Sequence, residues 1–312
     1  MNKIALAVII GLVAIAVVMV LRPPGSKIKA DVKHSISLEE IMAGGPPPDG
    51  IPPIDKPVFI SPPPASAWLE NNEIGLSLSL GDTHRFYPFQ ILVWHEIVND
   101  TINGERVLVT YCPLCRTAIV FDPKVNNKRV EFGTSGKLWN SNLLMYDRQT
   151  ESLWSQVLGE AVVGEMTGAK LKILPSDIIR FGDWKKQFPG GQVLSRETGV
   201  SRSYGQDPYG DYYTRPGTIF PVSKTDSRLG DKEFILGVII NGQAKAYSEA
   251  AVKKAGEIED RFADKTIAAR YEGELGVVRL YEKSDNGLRL LPTVGAFWFS
   301  WAAAHPDTAL YK

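Results

Sequence analysis

A chain of 312 residues with 35 basic and 35 acidic side chains has no formal net charge, which leaves no electrostatic footprint for nucleic acid. Its 44% hydrophobic and 22% charged residues exclude a disordered polymer and suffice for one large core or two smaller ones.

The first predicted element is "IALAVIIGLVAIAVVMVL", residues 4 to 21, an uncharged run of 18 residues, long enough to cross a bilayer as a helix. Arg22, Pro23 and Pro24 follow it where a cleaved signal peptide would carry small residues, so residues 1–22 read as an uncleaved signal anchor. Arg22, Lys27 and Lys29 outweigh Lys3 and would favour a cytoplasmic downstream side, but long domains cross largely regardless of such local charge. The expected location of the bulk is therefore outside the cytoplasm, at the periplasmic or cell surface, with the membrane as partner through residues 4–21.

Residues 23–66 hold eleven of the 21 prolines and are expected to form a semi-rigid spacer, with Asp49 to Phe59 lying against the folded part as a strap. Folded sequence begins near Trp68. Sliding the chain by 160 residues sets residues 73–121 over 233–281 without a gap, aligning Glu73 with Glu233, Leu76 with Leu236, Tyr87 with Tyr247, Asp100 with Asp260 and Tyr111 with Tyr271. Each copy reads as a strand, a Gly-containing turn, a short strand ending in Tyr, a short helix, a turn and two more strands. "DWKKQFPGGQVL" (183–194) likewise resembles "SWAAAHPDTALY" (300–311). The expected fold is mainly β with short helices, of the α+β kind, in two related sheet-rich modules from an internal duplication. The first spans residues 67–215, enlarged by about 40 residues around "NSNLLMYDRQTESLWSQ", and the second spans residues 216–312.

Both cysteines of the chain, Cys112 and Cys115, lie in "VTYCPLCRTAIVF". In the second copy "YEGELGVVRLY" takes that place, its glycines marking a hairpin tip, so the pair is expected at a turn between strands. A disulfide across two intervening residues would add little stability by chain entropy. A thioredoxin-type dithiol needs a helix start, whereas "TAIVF" favours a strand. A Cys-Pro-x-Cys turn between strands points both sulfurs to one side, as in rubredoxin-type and zinc-ribbon knuckles, although Arg116 stands where such knuckles usually carry Gly. A four-sulfur site would need two more cysteines, so a metal here requires other donors.

His95, in "VWHEIVND", is the first candidate as third ligand. His34 lies in the spacer, His84 in a predicted turn and His305 in the Pro306 turn. Cys112, Cys115 and His95 would form a soft site for copper or zinc, with Met145 as a weak further ligand to copper. Glu96, Asp100, Asn142, Asp147 and Arg148 are candidates for orienting ligands or binding substrate, together with Asn99, Asn140, Glu151 and Gln156. Asp147 and Arg148 could equally pair with each other to fix a hairpin. The loop "SYGQDPYGDYY" (203–213) is expected as a surface flap. Ala255, Glu272 and Leu275 replace His95, Cys112 and Cys115 in the second copy, which makes the second module a scaffold or a surface for an extracytoplasmic protein partner.

On "DGIPPIDKPVF", "WHEIVND", "TYCPLCRTA", "FGTSG", "NSNLLMYDRQTESLWSQ" and "LSRETGVSRSYGQDPYGDY", residues 49–213 closely resemble the bacterial and archaeal family called domain of unknown function 3179. The resemblance implies an exported or membrane-anchored protein and carries no established activity. The family motif normally reads Cys-Pro-Leu-Cys-Gly, so Arg116 is a departure. The leading expectation is a membrane-anchored extracytoplasmic metal-binding protein with a Cys2His site, acting in metal delivery, electron transfer or metal-assisted chemistry. The alternatives are a thiol-disulfide oxidoreductase using the same cysteines with His95 or Glu96 moving protons, and a non-catalytic binding module whose cysteines secure a hairpin.

Overall fold

The structure is a computed structural model that describes residue 28 and residues 31–312. The apolar run 4–21 lies outside the described residues. Among those described, no helix is long and apolar enough to cross a membrane.

The chain is mainly β with short helices. Its first half opens with a hairpin, β1 (Ile74–Leu80) and β2 (Thr83–Pro88), then a single helical turn α1 (Phe89–Leu92) and the meander β3 (Ile97–Ile102), β4 (Glu105–Cys112) and β5 (Thr117–Asp122). An inserted sheet follows, built from β6 (Phe132–Trp139), β7 (Asn142–Asp147), β8 (Leu153–Ser155) and β9 (Glu160–Val163). The half closes with β10 (Asp177–Arg180), α2 (Phe181–Gln187) and β11 (Gln192–Leu194). The second half has the same order without the insertion: β12 (Phe234–Ile240), β13 (Gln243–Ser248), α3 (Glu249–Ala255), β14 (Glu257–Phe262), β15 (Lys265–Glu272), β16 (Val277–Ser284), β17 (Val294–Phe297), α4 (Trp298–Ala304) and β18 (Ala309–Tyr311).

The correspondence extends to register. In the first half Asp177 of β10 sits opposite Ser77 of β1, and Gln192 of β11 runs parallel beside Arg85 of β2. In the second half Val294 of β17 sits opposite Gly237 of β12, and Ala309 of β18 runs parallel beside Lys245 of β13. A polar brace repeats as well. The Tyr87 hydroxyl donates to Asp100 at 2.6 Å, with Arg85 paired to the same carboxylate. The Tyr247 hydroxyl donates to Asp260 at 2.8 Å, with Lys245 paired there. An alternating strand buries one face only, so a Tyr reaching a carboxylate on the neighbouring hairpin satisfies both groups where water is excluded.

The two halves share one sheet and one core. Gly295 of β17 pairs with Ala118 of β5, which joins β3, β4 and β5 edge to edge with β12, β13, β17 and β18. Beneath this sheet both cysteines, Met145 and Trp154 of the first half pack in one cluster with Trp298 and Trp301 of the second.

The proline-rich segment departs from the expected spacer. Ile41–Ala43 forms an edge strand on β6, and the Ser35 amide donates to Val162 O at 2.9 Å. Further on, the segment lies against the folded part: Ile54 is 2% exposed, its amide donates to Ile97 O and its carbonyl accepts from Asn99 N. Prolines remove donors but leave the non-proline residues between them free to pair with an open sheet edge, and apolar Ile41 and Ile54 gain by doing so.

Candidate functional site

The Cys112–Cys115 turn begins where β4 ends. Pro113 has no amide to donate and its fixed φ starts a single 3-10 turn, Pro113–Cys115, after which the β-branched Thr117 re-enters a strand. Arg116 closes the turn with φ 50° in the left-handed region, the conformation that makes glycine usual at this place. The cysteines thus sit at a hairpin tip between strands, and both are free thiols.

They are also sealed. Cys112 is 1% exposed and Cys115 is fully buried. Two neutral side chains donate to the Cys115 sulfur, Thr117 Oγ1 at 3.0 Å and Asn142 Nδ2 at 3.0 Å. Gln156 holds Asn142 in place by accepting from the same Nδ2 at 2.9 Å, and its own Nε2 donates to Thr110 Oγ1 and to Thr117 O. Burial alone would raise the Cys115 thiol, but hydrogen bonding with Cys112, Thr117 and Asn142 outweighs it and brings the group down to about 7. Burial, together with the hydrogen bond and charge of Cys115, pushes Cys112 the other way. The two thiols are thus shifted in opposite directions.

Glu96 is near enough to feel the charge of Cys115. It is 7% exposed and its side chain makes no hydrogen bond or ion pair among the described residues. Burial, followed by the charge of Cys115, pushes its carboxyl up to about 8. Its backbone stands at φ 59° while its carbonyl accepts from Tyr111 N at 2.7 Å. The corresponding residue of the second half is Gly256, at φ 78°, whose carbonyl accepts from Tyr271 N at the same 2.7 Å. The chain tolerates a side chain at a glycine-type position, at a cost of about 1 to 2 kcal/mol, only in the half that holds the cysteines.

His95 does not join them. One ring nitrogen meets Pro52 O at 2.7 Å and the other the Tyr204 hydroxyl at 2.6 Å, so strap and flap take both, and burial lowers its basicity. Among the described residues no group of three His, Cys, Asp or Glu side chains stands close enough to hold a metal ion. The expected Cys2His triangle is corrected accordingly. Met145 is wholly buried in the same core cluster as the sulfurs.

Of the other expected residues, Asn142 and Gln156 belong to the site. Asp100 is committed to Arg85 and Tyr87. Asp147 accepts from Thr150 and from Trp154 Nε1 at 2.9 Å, and Arg148 pairs with Asp55 at 3.0 Å rather than with Asp147, which corrects that expected pair. Asn99 donates to Asp55 and Phe132 O, Asn140 accepts from Ser223 N, and Glu151 serves a tight turn at φ 56°. The flap is less superficial than expected: Tyr212 is 1% exposed and its hydroxyl donates to Leu114 O at 2.7 Å, inside the cysteine turn. Thr117 was not singled out from the sequence, although it was readable as the first residue after the turn.

A cleft of about 450 Å³ opens beside the turn, lined by Tyr111 and Arg116 on its two flanks and by Gln90, Arg180, Asp207 and Tyr213 among others. No curated protein and no solved structure matches the chain. A family model described as "Protein of unknown function (DUF3179)" matches residues 48–290, reaching well beyond the first half into the second. The chain belongs to that family.

Proposed function

We propose that Cys112 and Cys115 form a redox-active dithiol that exchanges two electrons with a small disulfide, with Glu96 moving the proton. The observation that carries this reading is the donor set on one sulfur: Thr117 and Asn142 both donate to Cys115, beside a second free thiol and an unpartnered buried carboxyl. A thiolate is the nucleophile in thiol-disulfide exchange, and hydrogen bonds that stabilise it raise its population at neutral pH. In the reaction the turn opens to expose the buried Cys115, which attacks one sulfur of the substrate disulfide, forming a mixed disulfide and releasing one thiolate. Glu96, protonated below about pH 8, gives its proton to that thiolate and takes the Cys112 proton in its place, Cys112 attacks the Cys115 sulfur, and a second thiolate leaves. The balance is one protein dithiol and one disulfide giving one protein disulfide and two thiols.

The second reading is a soft metal centre on the same sulfurs. The knuckle-like turn favours it, with Arg116 in the left-handed conformation, although among the described residues no third His, Asp or Glu donor stands with the two sulfurs. One preparation separates the two. Purified under reducing conditions, the protein is expected to be metal-free, with Cys115 alkylated at a rate that rises through pH 7 and Cys112 reacting far more slowly. Stoichiometric copper or zinc lost on Cys112→Ser would replace the dithiol reading with the metal one.

Matched registers, matched polar braces and the Glu96 and Gly256 pair support an origin of the two halves by duplication, with chemistry kept in the first. The uncharged run 4–21 supports a membrane-anchored protein with its folded part outside the cytoplasm, where dithiol oxidation is sustained.

A further inference from the structure

We propose that the cleft beside the cysteine turn is a binding site for small organic anions, and that the disulfide reduced at Cys115 carries carboxylates. This rests on the dithiol reading for its second clause only.

The cleft has the volume of a small-molecule site, about 450 Å³. Its cations and anions are not in the same state. Glu73 accepts from Gln90 Nε2 at 2.7 Å through one oxygen and from the Glu70 amide at 2.8 Å through the other. Asp207 accepts from Tyr209 N at 2.8 Å. Glu73 is thus engaged through both oxygens and Asp207 through one. The two guanidiniums, by contrast, make no hydrogen bond and no ion pair among the described residues, and Arg116 touches only the Tyr213 ring at 5.8 Å in a cation–π contact. The buried Tyr213 hydroxyl has no partner either. A wall of the cleft thus presents unused donors, with few unused acceptors facing them, and the complementary ligand is rich in acceptor oxygens. Guanidinium groups match carboxylates in two-point geometry, so carboxylate is the favoured group.

Two further observations tie this site to the chemistry. Tyr111 and Arg116 immediately flank Cys112 and Cys115, so a ligand held by Arg116 lies against the turn itself. Arg116 also occupies a left-handed backbone position that glycine would fill without strain. The side chain that persists there is one able to bind an anion.

The test uses the full chain and two reagents of the same chemistry and opposite charge character, dithiobis(nitrobenzoate), a dianion, and dithiodipyridine, which is neutral. The reduced protein should react faster with the dianion than free thiol chemistry predicts, with the advantage falling as salt is added. Arg116→Gly, which relieves backbone strain and so keeps the fold, and Arg180→Ala should each slow the dianion by about tenfold and leave the neutral reagent within about twofold. Calorimetric titration with isophthalate, a non-reducible dicarboxylate, should show binding to the parent chain that both variants weaken. Reaction with both reagents but with no charge preference, and no isophthalate binding, overturns the anion site and leaves the dithiol intact. Isophthalate binding lost on Arg116→Gly, with neither reagent reacting, overturns the dithiol reading and its carboxylated disulfide while the anion site stands.

Discussion

Replacing Glu96 by Gln should make stability less dependent on pH, in a direction and by an amount that burial fixes. In the folded protein the carboxyl holds its proton up to about 8, whereas its ordinary value is 4.5. Between those two values the folded state binds a proton that the unfolded state has released, so stability must fall as pH rises through that window. The contribution is complete below 4.5 and gone above about 8. At about 1.36 kcal/mol per unit the full span is about 5 kcal/mol, and water entry around a fully buried carboxylate would reduce it to roughly half. Glutamine keeps the shape and cannot ionise. Urea unfolding of parent and Glu96→Gln chains at several pH values should therefore give equal stabilities near pH 4.5 and a variant more stable by about 2 to 5 kcal/mol near pH 8. The Cys115 titration acts with opposite sign but occurs in both proteins, so it largely cancels in the difference. Parallel curves would refute the argument, because they would mean that the Glu96 carboxylate is solvated or paired.

Thr117→Val removes one donor to the Cys115 sulfur and should raise the thiol by about one unit, read as a shift in the pH dependence of alkylation, with an unchanged profile excluding Thr117 from the thiolate cradle. Ile54→Ala should destabilise by about 2 to 4 kcal/mol in chemical unfolding if the strap is part of the core, and by almost nothing if it is a tether. Asp100→Asn leaves Arg85, whose side chain is 13% exposed, without its charge partner and should cost about 3 kcal/mol. The same change at the more exposed Asp260 should cost less, and the reverse order would contradict the burial argument.

Much of this fold was readable because its signals are local or repeat. The 160-residue offset between Tyr87 and Tyr247, and between Asp100 and Asp260, marks a brace that the structure builds twice. The placement of the cysteines followed from "TAIVF", whose β-branched residues continue a strand rather than a helix. Both His95 and Glu96 were named as candidate third members, but the choice between them was not readable. His95 is drawn off by Pro52 and Tyr204, which come from a strap and a flap 43 and 109 residues away, and nothing local announces either contact. Glu96, its neighbour, is the residue that feels the charge of Cys115 instead. The one hint was the repeat itself, which sets a glycine opposite Glu96 and so flags a left-handed backbone. Arg148 behaved similarly: its partner Asp55 sits in the stretch expected as a strap, where nothing local announced the pairing.

The most direct test of the central claim is an equilibrium redox titration of the full chain in thiol-disulfide buffers, read by intact mass and by counting free thiols. A dithiol centre requires one reversible two-electron transition in which both thiols vanish together with the loss of two hydrogens, abolished by Cys112→Ser or Cys115→Ser. Thiols that stay reduced across the range, or that oxidise singly and irreversibly, would contradict it.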